Sequence, residues 1–156
     1  MADTTYLKYI VEPFIVQWVS QRIGLTLHPR RFPVGTRTDG TIAHFEFDGV
    51  SEDNQTGLLV STSYTLKPGG TRKLHGDAST LLNAGFQRRI MVFVSDEVRQ
   101  NFLNKCDGLL QLSKVEMLVC DELPLEMREQ IAKFQSEAKI EVGDKGKLWK
   151  LGGQRS

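Results

Sequence analysis

Apolar and polar residues recur with two different periods along this chain, and the switches between them mark the elements. Leu7, Ile10, Val11, Phe14, Ile15, Trp18 and Val19 follow helical spacing as far as Gly24, a stop signal. Pro13 falls inside that pattern, so the helix either kinks or begins there, with Glu12 near its N-terminus. The stretch 25–39 carries Pro29, Pro33 and Gly35 and is expected to be a short extended piece and a loop. A period of two then sets in. Ile42 to Asp48 and Leu58 to Tyr64 read as strands, and the polar connector from Ser51 to Gly57 suits a hairpin loop. Ile42, His44, Glu46 and Asp48 share one face of the first strand, and Ala43, Phe45 and Phe47 the other. With Phe45, Phe47, Val60 and Thr62 turned to the core, Asp48, Ser61 and Ser63 converge near one rim.

Beyond the hairpin, Lys67 to Lys73 reads as a flexible basic loop with Pro68, Gly69 and Gly70. A helix comes next in which Leu74, Ala78, Leu81 and Leu82 share a face, ended by Gly85. The near-continuous apolar run from Ile90 to Val94 suits a strand buried on both faces. Ser95 caps a helix over roughly 97–105, with Val98, Phe102 and Leu103 turned inward. Val115 to Cys120 predicts another strand, and Pro124 opens a last helix burying Met127, Ile131, Phe134 and Ala138. The order of strands and helices predicts one α/β domain over 1–140, a mixed central sheet flanked by helices. A basic C-terminal segment, 141–156, ends the chain with Lys145, Lys147, Lys150, Arg155 and Trp149.

Composition narrows the function classes. A chain of 156 residues is about one domain and buries a core without staples. A net charge of +1 excludes a global basic field, so nucleic-acid binding requires a local patch. Arg30, Arg31, Arg37, Lys67, Arg72, Lys73, Arg88 and Arg89 supply one if their loops fall on one rim. Cys106 and Cys120 lack the spacing of a zinc site or a disulfide framework. The N-terminus has no leader pattern and no apolar run is long enough to span a bilayer, so a cytoplasmic protein without a membrane partner is expected.

Two other constellations are weak. Ser61, His75 and Asp77 have the residue types of a hydrolytic triad but no G-x-S-x-G elbow. His44 and His75 with Asp48 or Glu46 match no closed metal-site spacing.

The first helix, the hairpin and the elements up to Cys120 resemble the restriction-endonuclease-like, or PD-(D/E)XK, nuclease superfamily. Phe47-Asp48 stands for the first part of its motif, and Val60-Ser61-Thr62-Ser63 after Gly57-Leu58-Leu59 for the second. The resemblance implies a core in which a first helix precedes a three-stranded meander, a crossover helix and a further strand. It implies an Mg²⁺ site whose carboxylates polarise a scissile phosphate and activate water, with a lysine offsetting charge. Ser61 occupies the position of the metal-binding Glu and Ser63 that of the Lys; neither hydroxyl replaces a charge. Asp48 remains, joined by Glu12 on the first helix, and a displaced cation is available from Lys67 or Lys73. The leading expectation is a nuclease-fold domain with an eroded centre, serving as a DNA- or RNA-binding or interaction module. The alternatives are an active Mg²⁺-dependent nuclease using Glu12, Asp48 and Lys73, and a protein-interaction domain with no nucleic-acid role.

Overall fold

The computed structural model describes residues 5–136. A π-helical turn, Leu7–Val11, leads into α1, Glu12–Ile23. The change from π to α geometry coincides with Pro13, whose missing N–H suits a first-turn position. Gly24 closes the helix in the left-handed region at φ 72°, where a Cβ would be strained.

Three strands come next: β1 (Leu27–Thr36), β2 (Ile42–Ser51) and β3 (Thr56–Ser61). After them come α2 (Pro68–Asn83), β4 (Arg88–Phe93), α3 (Asp96–Cys106) and β5 (Glu116–Val119). A helix we label α4 occupies residues 125–136. The five strands form one sheet in the order β1-β2-β3-β4-β5, antiparallel across β1, β2 and β3, then parallel through β4 and β5. One face packs Phe47, Leu59, Met91 and Phe93 against Leu74, Ala78 and Leu81 of α2 and Val98 and Phe102 of α3. The other packs Leu58, Ile90 and Val92 against Ile15 and Val19 of α1 and Ile131 of α4. The chain is thus a mixed α/β domain with helices on both sides of the sheet; β4 is buried on both faces, as its apolar run predicts, and so is most of β3, which was expected to alternate.

Three expectations are corrected. Residues 25–39 are not mainly a loop: β1 is ten residues long and lies at the sheet edge, where Pro29 and Pro33 cost no ladder partner on the outer side. Lys67 to Lys73 is not a loop either, because Pro68 starts α2 at its N-terminal end and Gly69 to Lys73 form its first turns. The strand expected over 58–64 ends at Ser61, leaving Ser63 in the connection to α2. Ala138 and the whole 141–156 segment lie outside the described residues.

The alternation expected for the hairpin also fails at one point. β1 and β2 pair His28 with Val50 and Arg30 with Phe47, so Asp48 and Gly49 together face Pro29 alone. That bulge lets Phe47 and Val50 both join the face covered by α2 and α3, while Val60 packs on the side of α1. Phe45 and Phe47 therefore do not share a core face with Val60.

Gly57 sets how closely α2's trailing loop approaches the sheet. A Cβ built there would clash with the ring of Phe86 at 2.3 Å, and that ring itself stacks on Phe32 and meets Phe47 edge-on. Gly57→Ala is expected to lower unfolding free energy by about 1–3 kcal/mol through overpacking, checked by urea denaturation. An unchanged midpoint would show that the Phe86 ring yields freely.

Candidate functional site

The strands β2 and β3 stay paired only briefly. Their ladder consists of Gly49 with Leu58 and Val50 with Gly57. Beyond it, β2 pairs only with β1 and β3 only with β4, so the two strands part at Asp48 and Leu59. In a continuing ladder the Val60 N–H would find a partner on β2. Here it donates instead to Asp48 Oδ2 at 2.8 Å, so the carboxylate bridges the gap between the separating strands.

Other charges gather around Asp48. Glu12 stands at the start of α1 and, with Glu46 and Asp48, lines a cavity of about 690 Å³ between α1, the edge strand β1 and its neighbour β2. From the opposite helix layer, α2 brings Asp77 and Lys73, four residues apart and so on one side of that helix. Their charges act on Asp48 directly.

Burial and mutual repulsion push these carboxyls out of the ordinary range. Asp48 rises to about 6: desolvation dominates, the Val60 N–H opposes it, the charge of Asp77 adds to the rise and Lys73 lowers it. Glu12 rises to about 7, again mainly by desolvation, then by the charge of Asp48, with Lys73 and Lys8 opposing. The order is physically consistent: Asp48 ionises first, and its charge then resists ionisation of Glu12. Asp77 is also raised by burial and partly restored by Lys73. Glu12, Asp48 and Asp77 thus share the influence of Lys73, with Glu46 adding to the rise at Asp48 and Lys8 opposing that at Glu12.

Among the described residues no group of three or more His, Cys, Asp or Glu side chains is placed to hold a metal ion by itself. The pair Glu12 and Asp48 has the donor chemistry of a Mg²⁺ site, which takes one or two carboxylates and completes its shell with waters and substrate phosphates. Neither Ser61 nor Ser63 hydrogen-bonds Asp48. Ser61 ends β3 and Ser63 lies past it, both half-buried. Ser61, His75 and Asp77 are not joined by hydrogen bonds, so no triad forms among them.

The basic residues separate into two sets. Arg30 donates to the Ser51 carbonyl at 3.1 Å and to Asn54 Oδ1, holding the β2–β3 turn. Arg37 donates to the Ile42 carbonyl at 2.8 Å and holds the β1–β2 turn. Arg88 forms a fork on Glu116 at 2.6 and 3.2 Å, across β4 and β5, at the end of the sheet away from Asp48. Arg31, Lys67, Arg72 and Lys73 are exposed, Lys67 immediately before α2 and the last two in its N-terminal half.

Asp77 is the site residue that sequence reasoning did not place here. The signal was present: with Leu74, Ala78 and Leu81 inward, Lys73 and Asp77 fall together on the border of that face, provided that the helix begins before Lys73. Reading Lys67 to Lys73 as a loop concealed it.

Raised carboxyl pKa values predict a specific stability profile. A carboxyl that holds its proton more tightly folded than unfolded stabilises the fold below its unfolded pKa and loses that contribution as pH rises through the folded value. For Glu12 and Asp48 the loss runs from about pH 4 to about pH 7. Glu12→Gln and Asp48→Asn are expected to be more stable than the wild type at pH 8 and to show a flatter pH profile, checked by thermal unfolding across that window. Variants less stable than the wild type at pH 8 would contradict the coupling.

Comparison of the chain with protein-family models, curated proteins and solved structures returns no match, so its site is read from its own residues.

Proposed function

We propose that the protein is a Mg²⁺-dependent nuclease on a restriction-endonuclease-like core, with Glu12 and Asp48 as metal-holding carboxylates. The observation that carries the reading is the convergence of Glu12, Asp48, Asp77 and Lys73 at the point where β2 parts from β3. Helix, three-strand meander, crossover helix and further parallel strand come in the order which that superfamily implies. The charges missing from Ser61 and Ser63 are offered instead by α2.

Each side chain has a role in that chemistry. Asp48 and Glu12 present oxygen donors whose mutual repulsion a divalent cation relieves, a common signature of functional carboxyls. Bound Mg²⁺ would supply polarisation of the phosphate and a lower pKa for the attacking water. Lys73 places a positive charge beside Asp48, where the phosphorane-like charge of phosphodiester hydrolysis develops. Asp77, its burial partly offset by the charge of Lys73, is suited to orient that ammonium or accept a proton from water. The exposed cations Lys67, Arg72 and Arg31 are available to phosphates beyond the cut.

A second reading, an eroded nucleic-acid-binding domain, is favoured by the two neutral serines at the motif positions. The two readings part in one assay. Nicking of DNA in Mg²⁺ is expected, lost at least about 100-fold in Asp48→Ala and Glu12→Ala and reduced in Lys73→Ala, with Ser61→Ala near wild type. Mg²⁺ is also expected to raise the thermal midpoint of the wild type but not of Asp48→Asn. DNA binding without any Asp48-dependent cutting would favour the eroded domain.

A further inference from the structure

The cavity beside Glu12 and Asp48 is larger than a metal site requires. At about 690 Å³ it has the size of a small-ligand pocket, and its wall combines acids with an apolar surface from Pro13, Val16, Leu27 and Pro29. Tyr9 stands at its edge, 63% exposed, on the helical stripe that continues through Glu12, Pro13 and Val16. Lys8 Nζ lies 5.6 Å from the centre of the Tyr9 ring and also lines the cavity. The π turn Leu7–Val11 widens the helix at this point, a geometry frequent at functional sites.

An exposed aromatic ring beside a cation, above an apolar wall, is the equipment for stacking an unpaired base while holding its phosphate. A paired duplex keeps its bases stacked inside and cannot lay one against Tyr9 and the apolar wall. An unpaired nucleotide can, with its base leaving the water against Tyr9 and the apolar wall. We propose that the cavity seats an unpaired nucleotide, its base stacked on Tyr9 and its phosphate presented to Glu12 and Asp48, so that the protein acts on single-stranded or frayed nucleic acid rather than intact duplex. The inference rests on the nuclease reading and supplies its substrate class.

The test is fluorescence-anisotropy binding of the full chain to a labelled DNA single strand of about 20 nucleotides, longer than one stacking site, and to its duplex, in Ca²⁺. The single strand is expected to bind at least about tenfold more tightly than the duplex. Tyr9→Ala is expected to lose about 5- to 100-fold of that affinity, and Tyr9→Phe to keep it. Because Tyr9 is exposed, an unchanged thermal midpoint in Tyr9→Ala separates lost stacking from lost folding. Equal affinity for both DNAs, wild-type affinity in Tyr9→Ala, or no binding to either overturns the inference. Asp48-dependent cutting of duplex as fast as of single strand overturns it while leaving the nuclease reading intact. Absence of any Asp48-dependent cutting overturns both.

Discussion

The hydrogen bond from the Val60 N–H to the Asp48 carboxylate is the contact on which this architecture turns. β2 leaves β3 beyond Gly49, and leaving frees backbone groups at a partly buried rim. An N–H stranded there would cost about 1–3 kcal/mol. Asp48 removes that cost by standing in for the missing strand. The departure begins where Pro29 meets two β2 residues in one register step. A proline on the edge strand, a bulge and an acid at the bulge thus act together.

That bond also bears on the charge of Asp48. An N–H donor favours the ionised carboxylate, yet burial outweighs it and the group stays above its ordinary range. Its charge then loads Glu12, and Lys73 partly neutralises both. Such an arrangement is only partly compensated by Lys73, and in the proposed reading a cation would relieve the rest. The neighbouring cavity gives the same carboxylates access to a ligand larger than an ion. Charge coupling and cavity are separate observations that point to one corner of the molecule.

Much of this was legible in the chain. The buried strand at Ile90 to Phe93 announced itself, because a short apolar run with no polar alternation suits a sheet covered on both faces, whereas the serines after Val60 made β3 look like an alternating strand. Asp48 stood out by its place at the end of a strand, and Glu12 only through the nuclease resemblance. Less legible was β1, since its prolines argue against a central strand and the sequence does not say which strand lies at an edge. Local bulging was hidden too. One extra residue at Asp48 and Gly49 moves Phe47 to a different face from Val60, and strict alternation cannot foresee it. Asp77 was missed for a related reason: a helix start two turns earlier than its apolar pattern suggests changes which polar residues share its border.

The most direct measurement of the coupled carboxyl pair is a carbon-detected NMR titration of the Glu12 and Asp48 side-chain carboxyls, with and without Mg²⁺. Midpoints near pH 7 for Glu12 and near pH 6 for Asp48, both falling when Mg²⁺ is added, are what the account predicts. Midpoints in the usual carboxylate range that ignore Mg²⁺ would contradict it.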